Sequence, residues 1–243
     1  MDIAYINKLI KKININPSRF HLSNFLLKAA KSIPHGAQVL DAGAGDCKYQ
    51  PLFSHTMYDA TDFLKVDKEY GDMTFICDLT SMPVKMKVYD LVVSTQVLEH
   101  TPDPAKILGE FWRILKDECE LWITAPLFFE EHEIPFDYYR YTQYGLTYLL
   151  RNAGFEIIEI TWLEGYFSTI AYQFKTAFKS LPLHPKYFGG NLVGIFIIPL
   201  ILLLKPILLI YAILLAHLDI NNKFTAKGYC KNYAIIAKKS ART

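Results

Sequence analysis

Val39-Leu40-Asp41-Ala42-Gly43-Ala44-Gly45-Asp46-Cys47 decides how this chain is read. Its first half is the end of a buried strand that closes on an acid. Its second half is a turn with almost no side chains. Gly43 and Gly45 lack a Cβ, so the backbone there can take positive φ and a ligand can come close. Lys48 to Phe53 resumes apolar spacing, and a helix is expected there. A strand, a glycine turn and a helix start make a nucleotide-type pocket at the carboxyl edge of a parallel sheet.

Asp41 narrows the choice of nucleotide. Phosphate sites present backbone N–H groups and no carboxylate. No Gly-Lys-Ser/Thr follows, so a P-loop is excluded. The dinucleotide pattern wants a third glycine at the position held by Lys48. A carboxylate suits a cationic, phosphate-free ligand, and S-adenosylmethionine carries an ammonium and a sulfonium. The stretch resembles the first motif of class I S-adenosylmethionine-dependent methyltransferases, hydrophobic-Leu-Asp/Glu-x-Gly-x-Gly. It departs from many members at Cys47, where they have a third glycine.

The 243 residues suit one large α/β domain with an elaboration, and a net charge of +2 makes no case for nucleic acid. Cys47, Cys77, Cys119 and Cys230 lack Cys-x-x-Cys spacing and read as reduced thiols. No metal site is expected. Residues 1–16 alternate polar and apolar, so no signal peptide is visible and the catalytic part is expected to face the cytoplasm. Ile3, Ile6, Leu9, Ile10 and Ile13, interleaved with three lysines, predict a short basic amphipathic helix.

Downstream, strands alternate with helices, which predicts a Rossmann-like, doubly wound sheet of seven strands. Met57 to Asp62 is the second strand, and Asp62 lies 21 residues past Asp41, near the spacing at which a carboxylate meets ribose hydroxyls. Asp67 is the alternative. Thr74 to Cys77 is the third strand, followed by Asp78-Leu79, and Tyr89 to Ser94 the fourth. Thr95-Gln96-Val97-Leu98-Glu99-His100-Thr101-Pro102-Asp103-Pro104 then resembles a methyltransferase subgroup that includes the quinone-biosynthesis enzymes. Asp103 can cap a helix over Pro104 to Leu115, with Pro at the first helical position. The fifth strand is expected at Glu120 to Ala125, a helix at Gln143 to Asn152 and the sixth strand at Phe155 to Trp162. The resemblance extends over residues 35–162, and Tyr229 to Lys238 matches the family's closing antiparallel strand.

Three segments follow: N-terminal helices (1–33), the methyltransferase domain (34–162 and 229–243) and an insertion (163–228). Within the insertion, Leu192 to Leu218 is nearly all apolar. If strands six and seven pair, both ends of the insertion lie on one side of any membrane, so one crossing is excluded. Pro199 and Lys205-Pro206 divide the run into pieces of 13 residues or fewer, each reaching only about half to two thirds of the ~30 Å bilayer core. A kinked, monotopic or re-entrant helix pair on the cytoplasmic face is expected. A buried or homo-oligomeric apolar interface is the alternative.

The resemblance implies methyl transfer from S-adenosylmethionine. It places Asp41, Gly43 and Gly45 toward the methionine end, Asp62 on the ribose, and Asp78 with Leu79 at the adenine. The loop Pro126 to Thr142 would wall the acceptor side, with His132 as candidate base and His100 second; Glu99, Tyr138, Tyr139 and Arg140 would line that pocket or brace the loop. The apolar run suggests a lipid-linked or amphiphilic acceptor. A soluble small-molecule methyltransferase and a non-catalytic membrane adaptor are the competing readings.

Overall fold

The computed structural model describes residues 16–190 and 192–240. The basic helix expected over residues 3–13 lies outside them. Seven strands form one sheet: β1 (Gln38–Ala42), β2 (Met57–Asp62), β3 (Phe75–Ile76), β4 (Tyr89–Thr95), β5 (Leu115–Pro126), β6 (Phe155–Trp162) and β7 (Asn232–Lys239). Their spatial order is β3-β2-β1-β4-β5-β7-β6. β1 to β5 pair in parallel, and β7 runs antiparallel between β5 and β6. The order reverses between β1 and β4, and ligands of open α/β sheets bind outside the strand ends at such a point.

The central strands read as apolar runs because helices cover both of their faces. Val39, Leu40, Leu91, Val92, Val93 and Ile123 are all buried. Helix α1 (Pro17–Ser32) sets Leu26, Ala29 and Ala30 against Val39, Val93 and Trp122. Helix α2 (Pro104–Ile114) starts where Asp103 Oδ1 accepts the Lys106 N–H at 3.1 Å, which satisfies an otherwise unpaired helix donor. Its face of Ile107, Leu108, Phe111 and Ile114 is buried. Helix α3 (Gln143–Asn152) is capped in the same way by Thr142.

Three details differ from expectation. The segment after the glycine turn is a four-residue 3₁₀ turn, Gln50–Phe53, and not a helix. Only the residues before Met57 are available there, too few to repay α-helix nucleation. β3 has two residues, as an edge strand paired on one side only. β5 begins at Leu115 and not at the expected Glu120, with a register shift against β4 between Tyr89 and Leu91 that takes up the extra residues.

The chain divides into two compact units. One holds the sheet, residues 22–163 with 231–240. The other holds residues 164–230 with the start of α1 up to His21. In the second, α4 (Tyr166–Ser180) and α5 (Leu192–Asn221) pack antiparallel: Phe178 lies by Lys205, and Phe174 lies 6.1 Å from Tyr211. The run expected as a kinked pair is therefore one 30-residue helix with both prolines inside it. Each proline leaves one carbonyl without its i+4 donor, those of Ile195 and Leu202. Lys205 Nζ does not go to these. It donates to the Leu181 carbonyl at the end of α4 (2.9 Å) and lies 5.3 Å from the Phe178 ring.

Candidate active site

The site is built at the carboxyl ends of β1, β2 and β4. Gly43 (φ 81°) and Gly45 (φ 55°) both take left-handed backbone, as the turn requires. The Gly43 and Ala44 N–H groups donate to the Thr61 carbonyl on β2 (2.8 and 3.0 Å). Gly45 N–H donates to Asp62 Oδ2 at 3.1 Å, and Phe63 N–H to Asp62 Oδ1 at 2.7 Å. The turn thus spends its donors inside the fold, with Cys47 N–H going to the Ala44 carbonyl. It offers no nest of free N–H groups for a phosphate.

A Cβ at Gly43 would lie 2.3 Å from Val97 Cγ2, in the segment after β4. Gly43→Ala is therefore expected to shift Val97 as well as strain the turn, lowering the thermal midpoint and abolishing donor binding. Calorimetric binding and thermal unfolding on the same preparation check this; unchanged donor affinity would show that the turn does not form the site.

Cys47 has φ 52°. A non-glycine residue in that region is strained unless its surroundings hold it. Here the accommodation is visible. A Cβ at Gly71 would meet Cys47 Cβ at 2.6 Å, and Gly71 N–H donates to the Gly45 carbonyl at 2.9 Å. The side chain gained at 47 is matched by one that is missing at 71.

Asp41 is 5% exposed and accepts the Tyr58 hydroxyl at 2.6 Å. Burial pushes its carboxyl up to about 6, with Asp62 and Asp46 adding repulsion against the Tyr58 hydrogen bond. Asp78 stays open to solvent, and the backbone and hydroxyl of Thr80 donate to it (2.9 and 2.8 Å), holding its carboxyl below the usual range.

A cavity of about 370 Å³ opens at these strand ends. Gly43, Asp62, Asp78, Leu79 and His100 line it. Asp41, Gly45, Asp67 and His132 are not among its lining residues. Asp41 stands behind the turn. Phe63 and Val97, which the sequence reading did not single out, also line it. Phe63 directly follows Asp62 and Val97 follows β4, so their place beside strand ends was the available signal.

The β5–α3 loop closes the other side. Tyr138 and Tyr139 N–H groups both donate to the Glu99 carbonyl (2.8 and 3.3 Å), and Tyr141 hydroxyl to the Leu98 carbonyl (2.8 Å). Arg140 braces this loop. It forks onto Asp137 (2.6 and 2.8 Å), holding that carboxyl far below its usual range, and also reaches the Phe129 and Glu130 carbonyls. Lys68 Nζ meets Glu133 Oε1 at 2.8 Å, and Phe63 meets Phe136 edge-on at 5.5 Å, tying the loop to the segment after β2.

Glu99, His100 and His132 gather beneath this loop. Glu99 is fully buried, and its carboxylate oxygens have no hydrogen-bond partner beyond its own backbone N–H among the described residues. Burial pushes its carboxyl up to about 8. Desolvation lowers His100, so its imidazole is neutral at pH 7. The rings of His100 and His132 lie 4.6 Å apart, edge to face.

Residues 40–123 match the family described as a methyltransferase domain. The chain carries a methyltransferase domain, with S-adenosylmethionine as its cofactor. No curated protein matches it in sequence. Among solved structures it is similar to a phosphoethanolamine N-methyltransferase of Haemonchus contortus in complex with S-adenosylmethionine (TM-score 0.54, 15% identity, covering 91% of this chain and 52% of that one). It is also similar to an S-adenosylmethionine-dependent methyltransferase of Methanosarcina mazei (0.53, 14%, 88% and 97%). A third is the cyclase SpnF (0.56, 16%, 91% and 80%). One fold thus carries different chemistries, and the acceptor must be argued from the site. The residues present fit the cofactor's nucleoside end: Asp62 and Asp78 line the cavity at successive strand ends, beside a turn whose Gly45 N–H is already spent on Asp62, while Asp103, Glu133 and the lysines Lys65, Lys68 and Lys106 make up the rest of its charged lining.

Proposed function

We propose that this methyltransferase acts at the cytoplasmic surface of a membrane, on an amphiphilic or lipid-linked acceptor. The observation that carries this is α5. It is long and apolar enough to cross a membrane, yet only 6% of its most apolar window is buried. Phe196 is 73% exposed and Leu203 67%. A soluble core helix would hide these side chains.

Two features favour a hairpin lying in the interface over one that spans it. The strands flanking the hairpin, β6 and β7, are hydrogen-bonded neighbours, so the chain leaves and re-enters the sheet on one side. A second crossing would fall to α4, whose 15 residues include Lys175 and Lys179. Lys205 has its ammonium satisfied by the Leu181 carbonyl, at the negative end of the α4 dipole. It can therefore sit against acyl chains at reduced cost.

The cofactor supplies a methyl group on sulfonium sulfur as the electrophile. The protein's contribution is alignment and water exclusion. Asp62 and Asp78 hold the nucleoside end, and the negative field of Asp41, Asp46 and Asp62 attracts the cationic end. On the acceptor side, His100 lines the cavity with His132 beside it. Those are the imidazoles that can take a proton from a hydroxyl acceptor.

The test is incubation of the full chain with methyl-labelled S-adenosylmethionine and total membrane lipid extract. Label is expected in a lipid band. Label only in water-soluble metabolites would overturn the acceptor class, while no donor binding by calorimetry would overturn the enzyme reading itself.

A further inference from the structure

We propose that Glu99, His100 and His132 form a binding site for a divalent transition-metal cation of the zinc type, on the acceptor side of the cavity. One oxygen of Glu99 and one ring nitrogen from each histidine lie within 4.8 Å of one another. His100 Nε2 is 4.0 Å from Glu99 Oε1 and 3.9 Å from Glu133 Oε2, whose other oxygen is held by Lys68 Nζ. Around zinc, with bonds of about 2.1 Å, ligand atoms sit roughly 3.4 Å apart, so closing the site needs shifts of an ångström or less per side chain.

Glu99 is the independent sign. A fully buried carboxyl group that meets no donor beyond its own backbone N–H is rare and needs a reason. The nearby guanidinium of Arg140 is committed to Asp137 and three carbonyls, those of Phe129, Glu130 and Tyr139. A cation coordinated between Glu99 and the imidazoles would supply the missing partner.

The histidines are also prepared as ligands. His100 Nδ1 is 2.6 Å from the Phe136 carbonyl, and His132 Nδ1 is 3.1 Å from the Glu130 carbonyl. A carbonyl only accepts, so both Nδ1 atoms carry the proton and both Nε2 atoms keep a lone pair. Metal-bound histidines are oriented by such outer hydrogen bonds. Two imidazoles with one carboxylate favour zinc, cobalt or nickel over magnesium, which prefers all-oxygen sites. This rests on the methyltransferase reading above and replaces its acceptor-side base: with a cation bound, the imidazoles act as ligands and do not take the proton.

The experiment titrates chelator-treated full-length protein with Zn²⁺, Co²⁺ and Mg²⁺, following heat and the visible spectrum of Co²⁺. One equivalent of Zn²⁺ or Co²⁺ is expected, with no comparable Mg²⁺ binding. Glu99→Gln and His132→Ala should each weaken it ~100-fold or more, beyond the roughly 10–100-fold cost of losing an outer partner. Both variants should bind S-adenosylmethionine as tightly as the parent, which shows that they fold and separates this test from that of the donor site. Failure to bind one equivalent, or equal binding in both variants, would overturn the proposal.

Discussion

Asp41→Asn is expected to make the ligand-free protein more stable at pH 7.5 and its binding of S-adenosylmethionine at least ~10-fold weaker, about 1.4 kcal/mol. Asp41 is buried with its carboxyl raised to about 6, from an unfolded value near 3.8. The native state therefore holds a proton that the unfolded chain has released between about pH 4 and 6. Stability falls as pH rises through that window and stays lower above it, by an amount on the order of 2–3 kcal/mol. Asparagine removes this cost, and its amide oxygen can still accept the Tyr58 hydroxyl. The carboxylate becomes favourable only when a cation arrives near the turn. Chemical denaturation from pH 4 to 8, with donor calorimetry on the same variant, reads both effects. If the asparagine variant binds the donor as tightly as the parent, Asp41 is a structural acid and the electrostatic account of the site is wrong.

Phe196→Asp combined with Leu203→Asp should release the protein from membranes. Both side chains are mostly exposed on α5. Burying each in an acyl layer is worth about 1.5–3 kcal/mol, so their joint loss should lower partitioning more than ~100-fold. Flotation with vesicles of phosphatidylcholine and phosphatidylglycerol measures it. The parent should float and the double variant should stay in the dense fraction, with donor binding kept in both. A parent that stays soluble as a dimer, and a variant that becomes monomeric, would turn α5 into a subunit interface.

Much of the sheet was legible because strands and caps are local. β2, β6 and α3 begin and end at the expected residues, since each is bounded by its own turn or cap, as Thr142 shows for α3. The apolar run was equally plain. What it becomes was not: two prolines suggested a break, but partners along α4, including Phe174 and the Leu181 carbonyl, hold one continuous helix. Pattern reading weighs the cost of a proline and cannot see the neighbours that offset it.

The sequence by itself determined the acids at strand ends, the glycine turn and the helix starts, because each depends on residues within one turn or one strand. Only the tertiary structure decided which acids face the cavity and which stand behind it, as Asp62 and Asp41 do. It alone decided that Gly71 makes room for Cys47, and that Glu99 and His132, 33 positions apart, share one pocket of the fold. Those meetings rest on backbone hydrogen bonds from the β5–α3 loop to the Glu99 carbonyl, and a backbone group leaves no mark in the order of side chains.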